Sequence, residues 1–511
     1  MEILQTSLAR LADNKRQVTT VAAISVATWV VFSKIYDIYF GPLSHIPGPF
    51  WFKVFGLRTC LKDDPPGTTW KEFLKWQDKY GPIVRLGPKY VSISDKALMR
   101  EVLVTQDLHK GPAYNRLRFI EGNPGSLVSA EDKAFHKQRR RIVSPAFSVK
   151  YINSLEPLMA KVIENFIDRI DRDIAKTQEN KDKFGIVDLW HVFVLMSLDV
   201  IGETAYGQTF HALEDSDHFV PHTIHKNLEI MNYLVAHPVK GLISFLLDSA
   251  NIMRANNKLQ QFMRKIIYDR LNGGESVRRQ DILQILIDSQ KSVHKEDRLT
   301  VDAIAQETVL FLIVGSETTS ATLGFILIQL LRNPDKLALL REEIDALPLQ
   351  GKTFAHEQLK NLPYLNGVIH EGLRMDPIVA VGVERQTYKD TTLGGQLFLP
   401  KGTAVLCNVN HVHHNPQYWP EPHKFKPERW LPDAEPPADM DAFFGFSAGS
   451  RNCIGKLYAM VEMRLCISML VKLYDLEAIP EELEQAEDKR AFMTLGINSN
   501  SVKVRVKRRQ L

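Results

Sequence analysis

The residues best suited to chemistry in this chain lie in Phe446-Ser-Ala-Gly449-Ser-Arg451-Asn-Cys453-Ile-Gly455. One cysteine stands between two glycines, with a cation and an aromatic ring ahead of it. An apolar helical pattern follows, carried by Leu457, Met460, Val461, Leu465, Ile467, Leu470 and Val471. A loop that presents a sulfur and then enters a helix can keep that sulfur deprotonated, because a helix N-terminus offers positive dipole and free N–H groups. Gly449 permits a turn that a side chain would block. Gly455 lets a flat group lie close to the backbone. Arg451 can pair with an anion on that group, and Phe446 can shield the sulfur from water. A lone cysteine in such a loop is more often a packing residue. The whole pattern instead suits the axial thiolate of a haem iron, with Cys453 as the metal ligand.

A second concentration interrupts the long apolar run from Val301 to Arg332 with Gly315-Ser316-Glu317-Thr318-Thr319. An acid and hydroxyls inside a buried helix are costly unless they have work to do. A hydroxyl bonded back to a carbonyl one turn earlier distorts a helix and opens a groove. Thr318 can then hydrogen-bond a reacting oxygen while Glu317 relays protons from solvent. A kinked core helix is the bland reading of the same residues.

The elements that must position these groups follow from the rest of the chain. Its 511 residues carry a net charge of only +4, which does not indicate a nucleic-acid binder. Cys60, Cys407, Cys453 and Cys466 are scattered, without CxxC spacing. That argues for a reducing compartment and against a zinc site or structural disulfides. Arg10, Lys15 and Arg16 precede an uncharged stretch from Gln17 to Ser33, at the lower edge of a membrane span. Ile35, Tyr36, Ile38, Tyr39 and Phe40 extend its apolar surface past Lys34. The stretch reads as a retained anchor over 1–40, and the prolines of 41–50 as a stiff hinge. Beyond it come an amphipathic helix from Trp70 to Lys79 and strands at Ile83–Leu86 and Tyr90–Ile93. A loop spans 110–128. A basic helix holding His136 and Arg140 on one face ends near Pro145. Nearly continuous helix fills 151–345, including 155–175, 187–206, 228–247 and 253–271. Thr391 to Leu399 reads as an alternating strand, and Ser501 to Val506 as a surface strand. His411, His413 and His414 read as ordinary loop residues rather than metal ligands.

The cysteine run resembles the haem-thiolate signature of the cytochrome P450 superfamily, Phe-x-x-Gly-x-Arg-x-Cys-x-Gly, at every fixed position. Gly315 to Thr319 resembles that family's acid-threonine motif, with Val314 where the family usually has Ala or Gly, narrowing the space above the haem. Glu371-Gly-Leu-Arg374 and Phe425-Lys-Pro427-Glu428-Arg429-Trp430 resemble its structural lock, with Trp430 for Phe. His136 and Arg140 stand where the family has Trp-x-x-x-Arg.

The resemblance implies a mainly α fold with a small β subdomain, forming one haem domain over 51–511 behind the anchor. It implies haem b held by Cys453, with Phe446, Gly449 and Gly455 shaping the cofactor loop. Arg451, Arg140, Arg385 and His136 would hold propionates. Thr318 and Glu317 would be catalytic. Glu371, Arg374 and Arg429 would be structural. Phe119, Val314, Ile378, Val379 and Leu495 would line an apolar substrate pocket. The chain looks most like fungal microsomal members, so the body would be cytosolic and the anchor would cross the endoplasmic reticulum membrane once.

The implied reaction is hydroxylation or epoxidation of a lipophilic small molecule: a steroid, terpenoid, polyketide or fatty acid, with a lean to a polycyclic lipid such as a steroid. No GxGxxG unit is present. Electrons would therefore come from a separate NADPH-cytochrome P450 reductase docking near Arg451 and Lys456, with cytochrome b5 as a further partner. The competing classes are a haem-thiolate isomerase or dehydratase working without a reductase, and a non-catalytic haem-binding protein.

Overall fold

The structure is a computed structural model that describes all residues except 1, 61–62, 118–124, 178–183, 216–217, 237, 275–277, 280 and 511. Its centre is the helix Val301–Arg332. Thr300 caps the start, its side chain accepting from the Ala303 N–H at 3.2 Å, and Asn333-Pro334 ends it. A helix apolar on all sides must be enclosed, and this one is. Leu189–Tyr206 packs along it in the opposite direction, at a separation that only glycines allow. A Cβ on Gly324 would lie 2.3 Å from the Trp190 ring, and one on Gly315 would lie 2.9 Å from Ile201 Cδ1. The cysteine helix, Lys456–Leu473, is buried from Met460 to Met463 and again from Leu465 to its end. It packs against both the central helix and Val149–Thr177.

The β structure is peripheral and short. Ile83–Gly87, Tyr90–Ile93, Ala404–Cys407 and Val383–Gln386 form one sheet in that spatial order, parallel at the middle pair and antiparallel outside it. Its parallel pairing carries Arg385, late in the chain, to the N-terminal hairpin. The strand expected from Thr391 to Leu399 is instead a hairpin of Thr391–Leu393 with Leu397–Leu399. Gly394 and Gly395, at φ +56° and +70°, turn it, a conformation open to glycine that the alternating pattern did not reveal. Lys503–Arg508 forms the middle strand of a sheet with Gly185–Asp188 and Tyr474–Glu477. Val502, Val504 and Val506 point inward while Lys503 and Arg505 stay exposed, as the alternation predicts.

The N-terminal helix runs from Glu2 to Tyr39. Within it Gln17–Tyr39, 23 residues with mean hydropathy 1.6, is exposed over most of its length and is a candidate membrane anchor. At 1.5 Å per residue it reaches roughly 35 Å, enough for a bilayer core. The proline-rich segment after it is packed rather than free. Leu43 and Ile46 are each 2% exposed, the Arg85 N–H donates to Pro47 O at 2.7 Å, and Lys53 Nζ reaches Ile46 O at 2.9 Å. Arg85 also holds Asp37 O at 3.1 Å, so the end of the apolar helix is tied to the first sheet. Proline density signalled stiffness; the apolar residues between the prolines are what seat the segment. Phe50–Phe55 then forms a short helix.

Glu371, on the helix Pro363–Met375, is fully buried. Arg374 donates to both its oxygens at 2.9 Å, and Arg429 Nε to Oε1 at 3.0 Å. The Lys426 N–H reaches Oε1 at 3.0 Å, and the Trp430 indole N–H reaches Oε2 at 2.9 Å. Burial pushes the carboxyl up, but these donors outweigh it and hold Glu371 below the usual carboxylate range. Arg374 continues to His413 O at 2.7 Å, and His413 Nε2 accepts the Phe444 N–H at 2.8 Å. A buried histidine so engaged is a bracket for the segment entering the cysteine loop, and among the described residues no metal-binding cluster exists.

Glu371→Gln leaves two guanidinium groups facing a neutral amide. We expect it to cost about 3–5 kcal/mol in urea unfolding. Trp430→Phe removes one donor and should cost only about 1 kcal/mol. Equal midpoints for wild type and Glu371→Gln would contradict this account of the lock.

Candidate functional site

The cysteine loop is held at each turn. The Cys453 N–H donates to Phe446 O at 2.9 Å, and the Asn452 N–H to Gly449 O at 3.1 Å. Gly449 sits at φ +76°, and a Cβ there would be 1.8 Å from Leu103 O, so no other residue fits. Gly455 caps the cysteine helix. A Cβ on it would meet nothing of the protein closer than Cys453 Sγ at 3.9 Å and Phe147 at 4.0 Å. The sulfur has accessible surface yet lies deep among protein atoms. Burial therefore raises its thiol, while the Gly455 N–H, Arg140 and Lys456 all pull it down. Lys456 Nζ stands 5.7 Å from the centre of the Phe446 ring. Phe147 bridges from Gly455 to the central helix, its ring 5.6 Å from that of Phe311.

On the central helix, burial holds from Ala303 to Leu331 except at Val314, Gly315, Glu317 and Thr318. The accessible notch therefore falls on the acid-threonine motif, one turn beyond Phe311. The helix is continuous through it. Thr318 Oγ1 donates to Val314 O at 2.7 Å, while Ser316, Ser320 and Thr322 bond back to carbonyls one turn earlier in the same way. These bonds absorb the hydroxyl protons without breaking the helix, so the expected distortion does not appear: the α-helix runs unbroken through the motif. Because the Thr318 proton is committed, its oxygen is left as an acceptor. Glu317 reaches the notch yet lies deep among protein atoms, and that burial raises its carboxyl to about 7. Among the described residues nothing offsets that with a hydrogen bond or charge.

The basic residues divide between two tasks. Arg140 donates to Ser450 O at 3.1 Å, Asn452 O at 2.9 Å and Asn452 Oδ1 at 2.6 Å, lacing the basic helix Lys133–Val143 to the cysteine loop. Arg451 donates to Ala130 O, and to Glu131 O at 3.0 Å, from the loop side. It is 8% exposed, which withdraws it from any docking surface; Lys456 is exposed. His136 is buried and lowered to about 3, first by burial and then by Arg451, Lys110, Arg140 and Arg385. It is therefore a neutral imidazole. Arg385 is 2% exposed, and its Nε has no partner among the described residues.

Sequence reasoning did not single out Lys110, yet it joins this group from the loop start, 9% exposed. It also missed the buried pair Arg139–Glu307 at 3.8 Å. Glu307 takes the Leu127 N–H at 3.0 Å and is raised to about 7 by burial. An acid inside an apolar run was the available signal for Glu307; a single lysine in a loop offered none.

Of the expected pocket wall, Phe119 lies outside the described residues. Val314 and Val379 have accessible surface. Ile378 is 8% exposed, and Leu495 donates its N–H to Ile378 O at 2.7 Å. Leu495 is itself buried and borders a separate cleft with Trp70, Met375 and His411.

Comparison with known proteins agrees with this architecture. The family model for Cytochrome P450 matches residues 43–506, beginning inside the packed proline-rich segment. The chain is 33% identical to Cytochrome P450 monooxygenase acrD of Aspergillus aculeatus, over 89% of this chain and 91% of that protein. It is 30% identical to Cytochrome P450 monooxygenase FUS8 of Gibberella moniliformis, over 96% and 94%. It is 31% identical to Cytochrome P450 monooxygenase TRI4 of Fusarium sporotrichioides, over 89% and 88%. A thiolate-held haem cofactor and an external electron donor come with that family. The chain belongs to the cytochrome P450 family, as a monooxygenase of fungal type.

Proposed function

We propose that the chain hydroxylates or epoxidises a lipophilic small molecule, with Cys453 as the residue that would hold the iron of haem b. The observation that carries this is the accessible notch at Val314, Gly315, Glu317 and Thr318 in an otherwise closed helix. The residues present fit the cofactor. Cys453 has an N–H donor and two cations favouring its thiolate. Gly455 has open space on its Cβ side, and buried cations stand together where carboxylates would be welcome. Haem bound there supplies the activation of dioxygen.

The chain's own residues do the rest. Phe446 and Gly449 shape the loop that presents the sulfur. Arg385 and Arg451, with the neutral His136, would hold the propionates, and Arg140 steadies the cysteine loop. Thr318 offers an acceptor oxygen to a proton-bearing group at the notch. Glu317, near half-protonated at neutral pH, passes protons to that point from solvent. Val314 and Val379 present apolar surface to the substrate, which favours a steroid, terpenoid, polyketide or fatty acid over a polar one. Val314 narrows the notch.

The apolar helix Gln17–Tyr39 would anchor the body to the cytosolic face of the endoplasmic reticulum membrane, with the haem domain starting in the packed segment after it. Exposed Lys456, beside the Phe446 ring of the cysteine loop, suits an acidic redox partner, an NADPH-dependent reductase or cytochrome b5.

The full chain, expressed in microsomes with a reductase, should convert lipophilic substrates to products heavier by one oxygen atom. Turnover without NADPH would favour the isomerase reading instead. Cys453→Ala should abolish the Soret band of a thiolate-ligated carbonyl complex. Glu317 donates only when protonated, so product formed per NADPH should fall as pH rises through about 7. Glu317→Gln should flatten that profile and lower turnover about 100-fold. Thr318→Ala should uncouple NADPH oxidation from product, and unchanged coupling would remove Thr318 from the mechanism.

A further inference from the structure

Glu307 lies on the central helix, fully buried, and has no part in the proposed chemistry. Both its oxygens accept the Leu127 N–H, at 3.0 and 3.1 Å, and Arg139 Nε faces Oε1 at 3.8 Å. Leu127 belongs to a mostly buried turn, residues 125–130, that is braced from within. The Ser126 N–H donates to Ser129 Oγ at 2.8 Å, and the Ala130 N–H to Ser126 O at 3.0 Å. The far end of this turn is where the cysteine loop is caught. Arg451 donates to Ala130 O, to Glu131 O at 3.0 Å and to Asp132 O at 3.4 Å. Asp132 then caps the basic helix, accepting the Phe135 N–H at 2.7 Å.

We propose that Glu307 is a positioning residue that couples the central helix to the cysteine loop, acting on Arg451 through Leu127 and the braced turn 125–130. An acid is costly to bury in an apolar helix, and an apolar residue at 307 would close that helix as well. It would, however, leave the buried Leu127 N–H without an acceptor and Arg139 without a counter-charge, and such losses exceed the worth of an ordinary hydrogen bond. A turn held at one point could pivot. Here the central helix fixes Leu127, Lys110 Nζ fixes Val128 O at 2.6 Å, and the serine bonds make the turn move as one piece. A displacement at Leu127 therefore reaches the Ala130 carbonyl and the guanidinium bound to it. The helix that carries Glu317 and Thr318 thus also sets the loop that carries Cys453, although the two motifs are far apart in sequence.

Amide hydrogen exchange of the full-length holoenzyme, read segment by segment, tests the route. Glu307→Leu should speed exchange roughly 10–100-fold at 125–130 and at 449–455, and leave the helix Pro363–Met375 unchanged. Glu307→Gln strands Arg139 just as Glu307→Leu does but keeps an acceptor for Leu127, so it should restore most of the protection at both places. Ser129→Ala cuts the brace without touching the central helix. It should loosen 449–455 in the same way, and adding it to Glu307→Leu should raise exchange there little further. Faster exchange at 125–130 alone, equal acceleration in Pro363–Met375, no acceleration anywhere, full additivity with Ser129→Ala, or Gln and Leu variants that behave alike would each overturn the proposal. Where Glu307→Leu yields no folded protein, Ser129→Ala decides: 449–455 must loosen while Val301–Arg332 does not.

Discussion

The protein depends on one carboxylate kept ionised without water. Glu371 would be neutral if merely buried, and two guanidinium groups would then be stranded around it. Because Arg374, Arg429, Trp430 and the Lys426 N–H saturate its oxygens, the charge persists. The same arginine holds His413 O, and His413 holds the Phe444 N–H. The cysteine loop begins just beyond. Its geometry is thus inherited from a distant ion cluster rather than from its own short sequence. The indole at position 430 is part of that design, since its ring N–H fills a lone pair that a phenyl ring would leave bare.

Charge without water recurs with the opposite sign above the loop. Lys110, His136, Arg385 and Arg451 converge although they come from four separate segments, and burial and the three cations together hold His136 neutral while Arg385 further lowers both Lys110 and Arg451. Arg140 is the exception that clarifies the arrangement. It shares a helical face with His136, yet it bonds the carbonyls of Ser450 and Asn452. Loop support therefore falls to Arg140. A helical-face argument placed both residues correctly on the helix and could not tell which way each would turn.

The central helix shows the same economy. Its hydroxyls satisfy themselves along the backbone, so the helix continues through a polar motif. A Cβ on Gly315 would collide with Ile201, so the glycine lets the neighbouring helix lie close beside the notch. At the notch no hydrogen bond or charge among the described residues offsets the burial of Glu317, and its raised pKa follows from that burial alone. A group in that state can exchange protons near neutral pH, which a fully bonded carboxylate would not do.

Much of the fold was legible because it is written in local chemistry. The long apolar run needed a buried helix, the alternation at Val502 to Val506 needed a one-sided strand, and the spacing around Cys453 needed a loop entering a helix. Gly449 could be read as a required glycine, although the reason, the Leu103 carbonyl, lies elsewhere in the chain. What the residues alone determined was therefore which chemistry is present: a sulfur, an acid beside a threonine, a carboxylate with two arginines. Tertiary structure alone decided which cations crowd together, that Arg451 is buried, that Leu495 bonds the Ile378 carbonyl, and that the proline-rich segment packs. Those outcomes depend on desolvation and on the summed field of residues far apart in sequence, and neither is a property of any local stretch of chain.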